Sequence, residues 1–119
     1  MADKHIFIEH WTFKHTWHEL TPRARQDYAD QIRLASAGGH PSGVRVIAWG
    51  LVDRHAPQSI AHDFWAVWQA DSAEAVRAFM AGVEASGWYR YFEQANTVGR
   101  CSSASEVLSA MVALADKEG

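Results

Sequence analysis

The chain has 119 residues, 48% hydrophobic, 21% charged and 12% aromatic, enough for one domain over residues 1–119 and no second. Eleven Lys plus Arg against fourteen Asp plus Glu leave a formal charge of −3, which excludes the basic surface of a nucleic-acid binder or an anionic-membrane binder. Cys101 stands alone, with no partner for an intramolecular disulfide or a thiolate zinc site, which fits a reducing compartment. The first ten residues carry Asp3, Lys4, His5 and Glu9 where a signal peptide would be apolar, and no apolar run is long enough to span a bilayer. The expectation is a cytoplasmic protein.

In chain order, residues 4–14 (KHIFIEHWTFK) have the β-branched and aromatic content of a strand, without Gly or Pro. Thr21 and Pro22 then supply a capping hydroxyl and a first-turn proline for a helix. Its apolar face is Ala24, Tyr28, Ile32 and Ala35, and Gly38, Gly39 and Pro41 end it. Residues 44–52 (VRVIAWGLV) and 61–70 (AHDFWAVWQA) read as two antiparallel strands separated by a polar loop. Asp71 and Glu74 precede Val76, Phe79, Met80 and Val83, an acidic cap ahead of a helical stripe that Gly87 stops. Residues 89–98 (YRYFEQANTV) supply a fourth strand, and Ser103 with Glu106 forms a capping box for a terminal helix bearing Val107, Leu108, Met111 and Leu114. The order β-α-β-β-α-β plus one helix is the split βαβ arrangement of an α+β, ferredoxin-like fold with a four-stranded antiparallel sheet.

Strand side chains alternate between faces, and here both faces come out apolar. The first strand divides into Ile6, Ile8, His10 and Thr12 against Phe7, Glu9, Trp11 and Phe13. The second divides into Val44, Val46, Ala48 and Gly50 against Arg45, Ile47, Trp49 and Leu51. The third sets Phe64, Ala66 and Trp68 against Asp63, Trp65, Val67 and Gln69. Two helices cover one face. The other, with Trp11, Phe13, Trp49 and Trp65 assigned to it, needs a cover, either a second copy packed sheet to sheet as a homodimer or the chain's own terminal helix.

The sequence resembles the dimeric α/β-barrel superfamily, which includes antibiotic-biosynthesis monooxygenases, small haem degraders and muconolactone-isomerase-type proteins, and within it small bacterial darcynin-like proteins. The matching residues are Trp17 with Leu20, Ala48-Trp49-Gly50, Phe64 to Trp68, and Ser86 to Gln94, together spanning roughly residues 5 to 99. The resemblance implies a ligand cavity between sheet and helices and a shared barrel at a dimer centre. It supplies no catalytic set, because this architecture hosts many reactions.

Seven histidines are available for proton transfer. His10, among Ile6, Ile8 and Thr12, is either a general base or a core histidine held by a backbone carbonyl. His62, beside Asp63, is a second candidate or a solvated strand-end residue. Tyr91 is the expected hydroxyl partner of His10. His15 and His18, and His5 and His10, lack the spacing and the carboxylate of a metal motif, so no metal is expected; His40 and His55 fall in loops. Haem is the alternative cofactor, against which the segment 72–85 lacks the histidine that the small haem degraders of this superfamily place in the second helix. Trp11, Tyr28, Trp49, Trp65, Trp68 and Glu93 are candidates for the wall of an aromatic-substrate pocket, the tryptophans also serving as ordinary core. The expected function is binding of a planar or aromatic metabolite by a homodimer, with cofactor-independent oxygenation or isomerisation by His/Tyr acid–base chemistry. A haem protein or a non-catalytic binding module are the alternatives.

Overall fold

The computed structural model describes residues 4–37 and 43–114. In chain order the elements are β1 (His5–Phe13), α1 (His15–His18), α2 (Pro22–Ala37), β2 (Val44–Leu51), β3 (Phe64–Ala70), α3 (Ala73–Ala85), α4 (Trp88–Tyr91), β4 (Phe92–Arg100) and α5 (Ala104–Val112). The strands form one antiparallel sheet in the order β2-β3-β1-β4, bearing out the ferredoxin-like arrangement.

Local chemistry sets most boundaries. The Thr21 hydroxyl accepts the Ala24 amide at 3.1 Å, and α2 begins at Pro22 as expected, while the Gly38, Gly39 and Pro41 stop lies outside the described residues. The cap of α3 corrects the expectation: Ser72, not Asp71, accepts the Ala75 amide, at 3.1 Å, because its shorter side chain sits at the capping position itself. Asp71 instead pairs with Lys4 at 2.9 Å, tying the end of β3 to the start of β1. Gly87 ends the α3 segment at φ 84°, a left-handed conformation suited to glycine. The segment 89–91, expected as strand, coils first into the short α4, so β4 starts at Phe92. The predicted box at Ser103 and Glu106 is present in both halves.

The sheet faces also depart from simple alternation. An extra residue in β2 shifts the register between Val46 and Ala48, so Val46 pairs with Trp68 but Trp49 pairs with Ala66. Trp49 and Leu51 therefore share a face with Val44 and Val46. Trp11 and Phe13 lie on that same helix-covered side, with Phe7, Phe64, Ala66, Trp68, Ala70, Val76 and Phe92 in or against the core. Of the four aromatic residues expected on the uncovered face, only Trp65 is there; its indole lies over Gly50, where an added Cβ would come within 2.4 Å of the ring.

That second face carries Ile6, Ile8, His10 and Thr12 of β1, Trp65 and Val67 of β3, and Ala95 and Thr97 of β4. The terminal helix does not roof it. Every residue of α5 is exposed, Val107 by 52% and Met111 by 63%, and the helix stands off the body. The radius of gyration is 16.7 Å, against about 13–14 Å for a compact chain of this length.

Candidate functional site

Between the helix-covered face of the sheet and helices α2 and α3 lies a cavity of about 250 Å³. Glu9, Trp49 and Trp68 come from the sheet; Ile32, Ala35 and Ser36 from α2; Phe79, Gly82 and Val83 from α3; Ser86 and Trp88 follow α3. Trp68 stacks obliquely on Phe79 at 4.5 Å between ring centroids and meets Trp49 edge-on at 5.9 Å. The wall is apolar apart from Glu9 and two serines.

Glu9 is 4% exposed, in a position flanked along β1 by Phe7 and Trp11. Its carboxylate is held from two sides. Trp68 Nε1 donates to Oε1 at 2.7 Å, and Gln94 Nε2 donates to Oε2 at 2.9 Å. The Gln94 amide is itself oriented, because its oxygen accepts from Trp88 Nε1 at 2.7 Å and its nitrogen also donates to Asn96 Oδ1 at 2.7 Å. Burial pushes the Glu9 carboxyl above its usual range, and the Trp68 and Gln94 hydrogen bonds oppose that rise. The result is a pre-oriented carboxylate on an aromatic wall, suited to proton transfer or to anchoring a ligand.

The candidates read from the sequence disperse. Trp49 and Trp68 line the cavity. Trp11 lies behind it in the core, with Trp49, Phe64 and Trp88 around it at 5.4–5.8 Å. Tyr28 and Tyr91 meet at 5.0 Å beside Trp17, forming a second aromatic cluster near α1 and α4, where burial raises the Tyr28 hydroxyl pKa. Trp65 and Glu93 stand away from the cavity, Trp65 on the second face and Glu93 exposed. His10 is on the second face too, 6.2 Å from His62, so the two histidines come together while Tyr91 packs elsewhere. Burial, then the His62 charge, lowers the His10 pKa; His62 Nδ1 is buried without a hydrogen-bond partner among the described residues. His15 pairs with Glu19 at 3.0 Å, His55 is exposed, and His40 lies outside the described residues.

Sequence reasoning sorted Glu9 with three aromatic residues and passed over it. A single carboxylate alternating with Phe7, Trp11 and Phe13 on one strand face was the available signal, since a buried unpaired charge is rarely tolerated without a role. Among the described residues no group of three His, Cys, Asp or Glu could hold a metal ion. The described residues lining the cavity include no His, Cys, Met or Tyr to ligate a haem iron, so haem does not fit this site.

The sheet order and the helices on one face define the ferredoxin-like α+β class. Chlorite dismutase from Candidatus Nitrospira defluvii is similar over 92% of this chain and 44% of its own, at 12% identity and a TM-score of 0.64. The chain thus spans about half the length of the chlorite dismutases it matches. A dimeric ferredoxin-like protein of unknown function from Thermobifida fusca is similar over 85% of this chain and 93% of its own, at 16% identity and a TM-score of 0.54. These likenesses establish the fold. The chain belongs to the Family of unknown function (DUF6616), which matches residues 4–114. No curated protein matches it. Among the described residues, no helix is long and apolar enough to cross a membrane.

Proposed function

We propose that the chain is a small-molecule-binding protein that takes a planar ring system into the Glu9 cavity. The observation that carries this reading is the buried Glu9 carboxylate fixed by Trp68 and Gln94 on the wall of an aromatic space of about 250 Å³. That volume suits a ligand of one or two rings, being somewhat larger than an engineered cavity of roughly 150 Å³ that holds benzene. Where such a ligand carries an acidic C–H or O–H, Glu9 is the group placed to take the proton, and isomerisation or cofactor-independent oxygenation is the chemistry that follows.

In this reading two copies join through the second sheet face, each with its own cavity. The unroofed second face, with Ile6, Ile8, Trp65 and Val67 on it, supports this pairing.

Gly82 offers the test of the cavity. It borders the cavity on α3, and a Cβ built there meets nothing within 4 Å, so Gly82→Leu sets an apolar side chain at the cavity wall. A titration of tryptophan fluorescence with 1-naphthol should saturate in the wild type and weaken at least tenfold in Gly82→Leu. Equal affinity in the two proteins would refute the site. Oxygen uptake over a phenol and quinol panel, abolished by Glu9→Gln, is the readout for the chemistry.

A further inference from the structure

We infer that the Glu9 cavity selects a planar organic cation, such as a quaternised or protonated nitrogen heterocycle, over neutral and anionic rings of the same shape. The inference rests on the cavity reading above and names its ligand class. The groups fixed against Glu9 are both donors, Trp68 Nε1 and Gln94 Nε2, and the orientation of the Gln94 amide is locked by Trp88. Each stabilises the ionised carboxylate, and neither brings a compensating positive charge. Among the described residues that line the cavity, none is Lys, Arg or His. A negative charge is thus presented to an apolar space with no counter-charge among the described residues of its wall, and a cationic ligand supplies one.

The remaining wall fits the same ligand. Trp49, Trp68, Trp88 and Phe79 present ring faces and edges to the space, and indole is the strongest of the side-chain partners for a cation. A metal ion is poorly matched, since one carboxylate and a ring of carbon cannot replace its hydration shell. An anionic ring would face the carboxylate directly.

Three probes of one shape separate the possibilities at pH 8: N-methylisoquinolinium, neutral isoquinoline and 2-naphthoate, titrated calorimetrically against the intact chain. The cation should bind at least tenfold more tightly than isoquinoline, and naphthoate most weakly. In Glu9→Gln that preference should collapse, the cation losing at least tenfold more affinity than isoquinoline. Trp49→Leu, at a half-exposed position, should weaken the cation more than the neutral ring. Equal binding of cation and neutral ring, or a preference that survives in Glu9→Gln, overturns the inference and leaves the cavity reading standing. Failure of all three probes to bind overturns both.

Discussion

Glu9 holds its place at a cost that depends on pH. Its folded carboxyl binds a proton more tightly than the unfolded one, whose model value is 4.5. The charged form is therefore disfavoured by folding, and the penalty is absent below about that pH and grows as pH rises through the raised folded value. The groups facing it are Trp68, Gln94 and, beyond the amide, Tyr89, whose hydroxyl is itself raised by burial and in part by the Glu9 charge. Urea unfolding of wild type and Glu9→Gln at pH 5 and pH 8 should show the wild type losing ground to the variant as pH increases. A difference that stays flat, or that runs the other way, contradicts a buried ionising carboxylate. Gly50 makes a second prediction at this scale. The Trp65 ring occupies the space of any Cβ there, and the nearest ring atoms lie 2.4–2.7 Å from it, so Gly50→Ala should cost about 1–3 kcal/mol in chemical denaturation. Pairing it with Trp65→Val should recover part of that loss.

Among the elements, legibility followed locality. Caps and stops at Thr21, Gly87 and Ser103 depend on a few neighbouring residues, and these were readable. The β2 bulge was not, because an extra residue leaves the composition of a strand unchanged and is defined only against its partner, β3. That one irregularity misplaced Trp49, while Trp11 and Phe13 were misplaced because nothing local says which face the helices will cover. For the same reason Glu9, Trp68 and Gln94, which lie 59 and 85 residues apart along the chain, could not be joined in advance. The caps also differ in what they support. Ser72 caps α3, which carries buried Val76, so Ser72→Ala should lower stability by about 1 kcal/mol. Ser103 caps α5, which has no buried residue, and Ser103→Ala should leave the unfolding midpoint of the sheet unchanged while reducing far-ultraviolet helicity.

For the whole molecule, the uncovered sheet face and the detached α5 pose one question of assembly. Ile8 and Val67 are cross-strand partners on that face, on the opposite side of the sheet from the cavity. Ile8→Glu should convert the proposed dimer to a monomer in sedimentation, with cavity binding of 1-naphthol changed by less than about threefold. A wild-type chain that sediments as a monomer at micromolar concentration removes the dimer from the reading. His10 and His62 lie on the same face, and burial with mutual repulsion keeps His10 neutral to lower pH than usual, so acid should loosen whatever packs there.

The additional residue in β2 makes the wall of the cavity a matter of counting. Strand side chains have a period of two, and the bulge takes one residue out of that count, so Ala48 pairs with Val67 and Trp49 with Ala66. Dropping Ile47 would leave Val46, Ala48 and Trp49 in plain alternation against Trp68, Val67 and Ala66, with the indole still on the cavity side. A single-codon deletion at this point can thus straighten the strand while every side chain of the pocket wall stays in place.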